Sequence, residues 1–170
     1  EPLVTASSNS PVCEGDGLQL NATTIPGATY VWTGPNGFTS TSQNPLIDPA
    51  TSADAGTYTV VATVNGCVSN PDDVTVTISD VDASFIPSPS SGVSPLNVVF
   101  TNTSNGGSTY YWDYGNGNIE ITDSLITSQL YITDSTYTVT MIAVNADGCS
   151  DTVSVNISVV PDYFILIPNV

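Results

Sequence analysis

The chain has 170 residues, of which 40% are apolar and 9% charged, and all sixteen charges are acidic: there is no Lys, Arg or His, and the formal net charge is −16 at pH 7. Ordinary soluble domains draw about 25% of their residues from the charged types, with both signs mixed. Without cations the chain has nothing to hold a phosphate backbone or an anionic lipid surface, and a Ser-His-Asp triad, a Schiff-base lysine and a His-based metal site are unavailable.

In chain order, the first half shows short alternating runs at Leu3–Ala6, Gly17–Thr23, Thr29–Thr33, Thr57–Val64 and Val74–Ile78, separated by Gly, Pro, Asn and Asp clusters. The second half shows runs at Ala83–Ile86, Leu96–Asn102, Thr109–Tyr114, Leu130–Thr133, Tyr137–Val144 and Thr152–Val159. No segment of helical period competes with them. Pro87–Pro95 reads as a loop after the first strand of the second half. Ser and Thr, about a quarter of the chain, supply most of the polarity, a bias that suits strands and extracellular surfaces. No apolar run approaches the roughly 20 residues of a membrane span, so membrane insertion is not expected. With no signal peptide, the chain reads as a mature or excised segment. Acidic residues interrupt the alternation at Ser79–Asp82, which divides the chain into 1–79, 80–160 and a terminal strand or linker over 161–170.

The halves share landmarks. Each places a Trp in its third strand, Trp32 and Trp112. Each sets a Tyr at the entry of a long penultimate strand (Tyr58 in Thr57-Tyr58-Thr59-Val60, Tyr137 in Thr136-Tyr137-Thr138-Val139), and each follows that strand with a Gly-Cys turn, Asn65-Gly66-Cys67 and Asp147-Gly148-Cys149. A core Trp, a corner Tyr and a tight hairpin are what a Greek-key sandwich requires. The two tryptophans read as core residues, with sugar stacking the alternative.

Asp54-Ala55-Gly56-Thr57-Tyr58 resembles the tyrosine corner of immunoglobulin-type domains. Such domains carry a Cys two residues after that Tyr and another in strand B; here those places hold Val60, and Leu18 with Leu20. The arrangement of Val12-Cys13-Glu14-Gly15-Asp16-Gly17 with Asn65-Gly66-Cys67 is similar to immunoglobulin-like modules of secreted Bacteroidetes proteins, and the resemblance implies a Cys13–Cys67 disulfide worth about 3–4 kcal/mol, two buried thiols being the alternative. Tyr111-Trp112-Asp113-Tyr114-Gly115-Asn116-Gly117 resembles the Trp-Asp-Phe-Gly-Asp-Gly signature of the polycystic kidney disease (PKD) domain. Leu130-Tyr131-Ile132 followed by Tyr137-Thr138-Val139-Thr140 resembles its second signature. Pro161–Val170 is similar to the segment that joins such a domain to a gliding-motility-type C-terminal sorting domain of type IX secretion. The expected fold is all-β, two tandem immunoglobulin-like Greek-key sandwiches.

Candidate chemistry is sparse. Asp113, Asn116, Asn118 and Glu120 place oxygen ligands at alternate positions, as a calcium loop would, with turn structure as the other reading. Asp72-Asp73 and Asp80/Asp82 are further acidic pairs near the seam. No cofactor is required; calcium is the one considered. Ser124, Ser135 and Thr152 lie in tripeptides that resemble the Bacteroidetes O-glycosylation motif, and Asn21, Asn102 and Asn156 lie in N-glycosylation sequons. Cys149 is either a quiet turn thiol or a bridge to another chain. Tyr163, Phe164, Ile165, Leu166 and Ile167 form an apolar strand that could add to a neighbouring subunit's sheet. Tyr110, Tyr111 and Tyr131 could build an aromatic platform for a glycan. The expectation is a non-catalytic structural or adhesive module of an extracellular protein, with other domains, neighbouring subunits or glycans as partners. A filament subunit and the carbohydrate-binding accessory of a secreted hydrolase are the alternatives.

Overall fold

The computed structural model describes residues 1–162, and the chain forms two compact units, Glu1–Asp80 and Val81–Val170. The expected strand Tyr163–Ile167 lies outside the described residues.

In the first unit the strands are β1 (Ala6–Ser8), β2 (Val12–Cys13), β3 (Leu18–Ala22), β4 (Thr29–Thr33), β5 (Thr39–Ser40), β6 (Leu46–Ile47), β7 (Gly56–Val64), β8 (Cys67–Val68), β9 (Asp72–Val76) and β10 (Ile78–Ser79). One sheet has the order β1-β3-β6 and the other β5-β4-β7-β8, with β9 also paired to β7, while β2 runs parallel to β10. Alternation along β3, β4 and β7 sends Leu18, Leu20, Tyr30, Trp32, Tyr58, Val60 and Ala62 into one core.

The second unit repeats the plan with β11 (Phe85–Ser88), β12 (Ser91–Val93), β13 (Leu96–Asn102), β14 (Thr109–Asp113), β15 (Ile119–Thr122), β16 (Ile126–Tyr131), β17 (Ser135–Val144) and β18 (Ser150–Val160). Its sheets run β11-β13-β16 and β12-β18-β17-β14-β15, and β12 is again the parallel partner, to β18. Aromatic rings fill the space between them. Phe85 meets Trp112 edge-on at 4.9 Å, Phe100 lies 5.6 Å from Trp112, and Tyr114 stacks on Trp112 at 6.0 Å. Both tryptophans are therefore core residues, as their sequence context implies. Trp32 Nε1 donates to the Gln43 carbonyl at 3.2 Å, whereas Trp112 Nε1 has no partner among the described residues.

Each unit closes with the same corner. Tyr58 Oη donates to the Asp54 carbonyl at 2.8 Å, and Tyr137 Oη donates to the Thr133 carbonyl at 2.9 Å. The first corner is reinforced by a capping box in which the Asp54 carboxylate accepts from the Thr51 amide at 2.9 Å and its hydroxyl at 2.7 Å. Those bonds, the Thr51 hydroxyl first, hold the buried Asp54 carboxyl below the usual range.

The strand readings shift in several places. The strand expected over Leu3–Ala6 is β1, Ala6–Ser8, and Pro87–Pro95, read as a loop, carries the end of β11 and the whole of β12, because pairing with β13 and β18 overrides the Pro and Ser content. The strand expected over Leu130–Thr133 is β16, already extended from Ile126; its inward Thr127 hydroxyl breaks the apolar alternation and hides the start. Residues 119–122, which lie outside the expected strand runs, form the edge strand β15, whose outward residues are isoleucines and whose inward residues are polar.

The cysteine pairing needs correction. Cys13 and Cys149 are both disulfide-bonded, while Cys67 is a free, exposed thiol, so the Cys13–Cys67 bridge is not formed. The first unit's topology explains why. Cys13 sits beside Ser79, close in sequence to Val76, which pairs with Gly56 at the start of β7. Cys67 follows the hairpin turn beyond Val64 at the other end of that strand. The nine residues of β7 span about 27 Å, whereas disulfide-linked Cα atoms lie within about 7 Å. Cys149 is buried and already in a disulfide, which removes it as a bridge to another chain.

Candidate functional site

The residues singled out as ligands lie on the β14–β15 hairpin. Asp113 Oδ1 accepts from the Gly115 amide at 2.9 Å, Asn116 Oδ1 accepts from the Asn118 amide at 3.1 Å, and the Tyr114 amide donates to the Asn118 carbonyl at 3.1 Å. Gly115, at φ +73°, passes so close to β17 that an added Cβ would lie 2.5 Å from the Thr138 carbonyl oxygen. Only glycine fits there. Asp113 pairs with Ile119 and faces outward, whereas Glu120 pairs with Trp112 and faces inward. The two carboxylates thus lie on opposite faces of one sheet, and the four expected oxygen ligands do not converge. No group of three or more potential metal-binding carboxylates or thiols occurs among the described residues.

Glu120 has a different occupation. Its Oε2 accepts from Tyr114 Oη and Thr127 Oγ1, both at 2.6 Å, which ties the edge strand of one sheet to β16, the edge of the other. The two hydroxyls, Thr127 first, hold the Glu120 carboxyl below the usual range. Tyr114 moves the opposite way: burial and then the bond to Glu120 raise it well above a free phenol. Tyr131 donates to the Tyr114 carbonyl at 3.0 Å, and burial pushes it up to about 12. Sequence reasoning noted Glu120 as a ligand and missed this closure; the signal was a Thr facing inward on a neighbouring strand.

The remaining residues scatter. Ser124, Ser135 and Thr152 are exposed, in the turn before β16, at the start of β17 and on β18. Asn102 is buried, with Oδ1 accepting from the Ser104 amide, which makes it a poor glycan acceptor in the folded chain. Asp72 accepts from the Ala6 amide at 2.7 Å, and Asp151 from the Ala83 amide at 2.8 Å, a bond that lowers the Asp151 carboxyl. Of the three tyrosines considered as a platform, Tyr110 and Tyr131 are buried and hydrogen-bonded to backbone carbonyls, and Tyr111 alone is at the surface.

Tyr111 stands in an ordered array on the outer face of the β14–β15–β17–β18 sheet. The register aligns Ile121, Tyr111 and Ile142 in one row across three strands, ending at Thr152. The next row is Ile119, Asp113, Thr140 and Ser154, with Thr140 and Ser154 hydroxyls 2.8 Å apart. Tyr111, Asp113, Ile119, Ile121, Thr140 and Ile142 are among the residues that border a groove of about 200 Å³, which Trp112 and Glu120 also line.

The fold and these hairpins define a class, tandem immunoglobulin-like sandwiches. Residues 82–159 match the family model of the PKD domain. Among solved structures, the PKD1 domain of the Vibrio cholerae metalloprotease PrtV is 31% identical, with 45% of this chain and 93% of that chain covered and a TM-score of 0.38. A structure of carbohydrate-binding modules from the β-sandwich superfamily is 29% identical over 48% of this chain, with a TM-score of 0.45; the match spans 34% of that chain, about a third of its length. Extracellular domains 3–5 of Drosophila OTK are 13% identical and share the fold over 89% of this chain and 58% of theirs, with a TM-score of 0.54. No curated protein matches the sequence. The second unit is thus PKD-like, and it follows a unit with the immunoglobulin-type corner and strand order.

Proposed function

We propose that the chain is a non-catalytic structural and adhesive module of a larger extracellular or cell-surface protein. One observation carries this reading: the polar residues of the PKD-like signature are spent on the sandwich itself. Asp113 and Asn116 bond hairpin amides, and Glu120 joins the two sheet edges through Tyr114 and Thr127. Groups consumed in this way hold a scaffold rather than attack a substrate. The PKD match and the disulfide-bonded Cys13 and Cys149 support a place outside the reducing cytoplasm. The lack of Lys and Arg also leaves trypsin-like proteases no cleavage site. The resemblance of Pro161–Val170 to a sorting-domain junction supports a Bacteroidetes-type protein exported by a type IX route.

Antibodies against residues 1–162 should label intact cells of the source organism, or its spent medium. Labelling confined to permeabilised cells would reject the extracellular placement. Turnover of a polysaccharide or ester by the purified chain would reject the non-catalytic reading.

A further inference from the structure

Four asparagines of the chain are followed by glycine, in Asn36-Gly37, Asn65-Gly66, Asn105-Gly106 and Asn116-Gly117, and all four are exposed. An asparagine in this setting can react with its own backbone. The nitrogen of the next residue attacks the side-chain carbonyl carbon, Cγ, and glycine, with no Cβ, leaves that approach open. Closure requires the peptide plane after the asparagine to turn until its nitrogen lies beside the asparagine Cβ. Local structure therefore decides which of the four dipeptides closes.

Three of them are held away from it. Asn36 has φ 54° and ψ 24°, and Asn65 has φ 49°; in this left-handed region the following nitrogen points away from Cβ. The Asn36 carboxamide also donates to the Asp54 carboxylate. At Asn105 the amide donates to the Asp82 carbonyl at 2.9 Å and the carbonyl accepts from the Asp82 amide at 3.0 Å, so the peptide plane before Gly106 turns only by breaking a bond. One such bond broken on the way slows closure about fivefold. Asn116 differs on each count. Its φ is not positive, and among the described residues neither its carbonyl nor the Gly117 amide has a hydrogen-bond partner. Its Oδ1 accepts from the Asn118 amide at 3.1 Å. That bond draws the carboxamide back over the Gly117 peptide, polarises Cγ and steadies the oxyanion formed on attack.

We infer that Asn116 is the site at which the folded chain deamidates, through a cyclic imide formed with Gly117. The Gly117 nitrogen gives its proton to solvent and bonds to Cγ, and the carboxamide nitrogen takes up a proton and leaves as ammonia. Water then opens the ring. Attack at the side-chain carbonyl leaves an aspartate at this position, and attack at the backbone carbonyl leaves isoaspartate, whose chain runs through Cγ and is longer by one methylene. Either product adds a carboxylate to a hairpin that already carries Asp113, in a chain with no Lys, Arg or His to offset it. Isoaspartate also runs the backbone through the group that bonds the Asn118 amide, at a tip where Gly115 passes close against β17. The covalent state of the PKD-like hairpin thus changes with the age of the molecule.

The test is a time course of the full chain at mildly alkaline pH, once folded and once in urea, with peptide mapping of the four sites by chymotrypsin, since trypsin has no site in the chain. Conversion is read as a gain of about 1 Da in a peptide, and the isoaspartate fraction as methyl uptake from an isoaspartyl methyltransferase. In the folded chain the Asn116 peptide should convert about fivefold faster than the Asn36, Asn65 and Asn105 peptides. In urea, where the restraints are gone, that lead should shrink. Asn116→Gln, which cannot close the same ring, should remove the gain at this site and leave the other three at their parent rates. The inference falls if another of the four sites converts faster in the folded chain, if Asn116 keeps the same lead in urea, or if only the unfolded chain gains mass.

Discussion

Replacing Glu120 by Gln should cost the second unit about 2 kcal/mol at neutral pH, and the cost should vanish in acid. Glu120 Oε2 accepts two hydroxyl bonds at 2.6 Å. Hydrogen bonds to a charged acceptor contribute about 1.5–3 kcal/mol each, against about 1 for a neutral one. Gln keeps the shape and one carbonyl acceptor, so roughly 1 kcal/mol is lost per bond; part of the charge term is screened, because Glu120 is only partly buried. For a unit of this size, that corresponds to a melting-temperature drop of about 10 °C. The sign with pH follows from the lowered carboxyl. A depressed group stabilises the fold above its unfolded pKa, near 4.3, and that contribution is lost as pH falls through the folded value. Urea unfolding of both proteins, followed by circular dichroism at neutral pH and again below the carboxylate range, checks this. A stability gap that stays constant across that range would refute the reasoning, because it would assign the loss to packing and not to the carboxylate.

Gly115→Ala forces φ +73° on a residue with a Cβ and drives that Cβ toward the Thr138 carbonyl; it should cost about 3 kcal/mol or more, seen as early melting of the second unit. Tyr58→Phe removes the corner bond to the Asp54 carbonyl and should cost about 1–1.5 kcal/mol in urea unfolding, with Tyr137→Phe doing the same in the second unit. Iodoacetamide without reductant should add one adduct by intact mass, at Cys67, and three after reduction and unfolding, because Cys13 and Cys149 are disulfide-bonded.

Much of the architecture was legible in the residues alone. Alternation placed most of the long strands, because period-2 burial is a local property that survives without knowledge of the partner strand. The corner at Tyr58, the core role of Trp32 and Trp112 and the PKD-like hairpin were legible for a related reason: each is a short motif whose geometry is set within a few residues. The missing cations excluded whole classes of chemistry by composition. Tertiary structure decided what depends on which face or which end of a strand a residue occupies. Cys67 looked like the partner of Cys13 until β7 put its own length between them. Asp113 and Glu120 looked like co-ligands until the pleat sent them to opposite faces. Tyr111 was legible as a candidate surface aromatic, but only strand register lines it up in one row with Ile121 and Ile142. Pairing across a sheet is a long-range choice, and a chain read residue by residue carries no record of it.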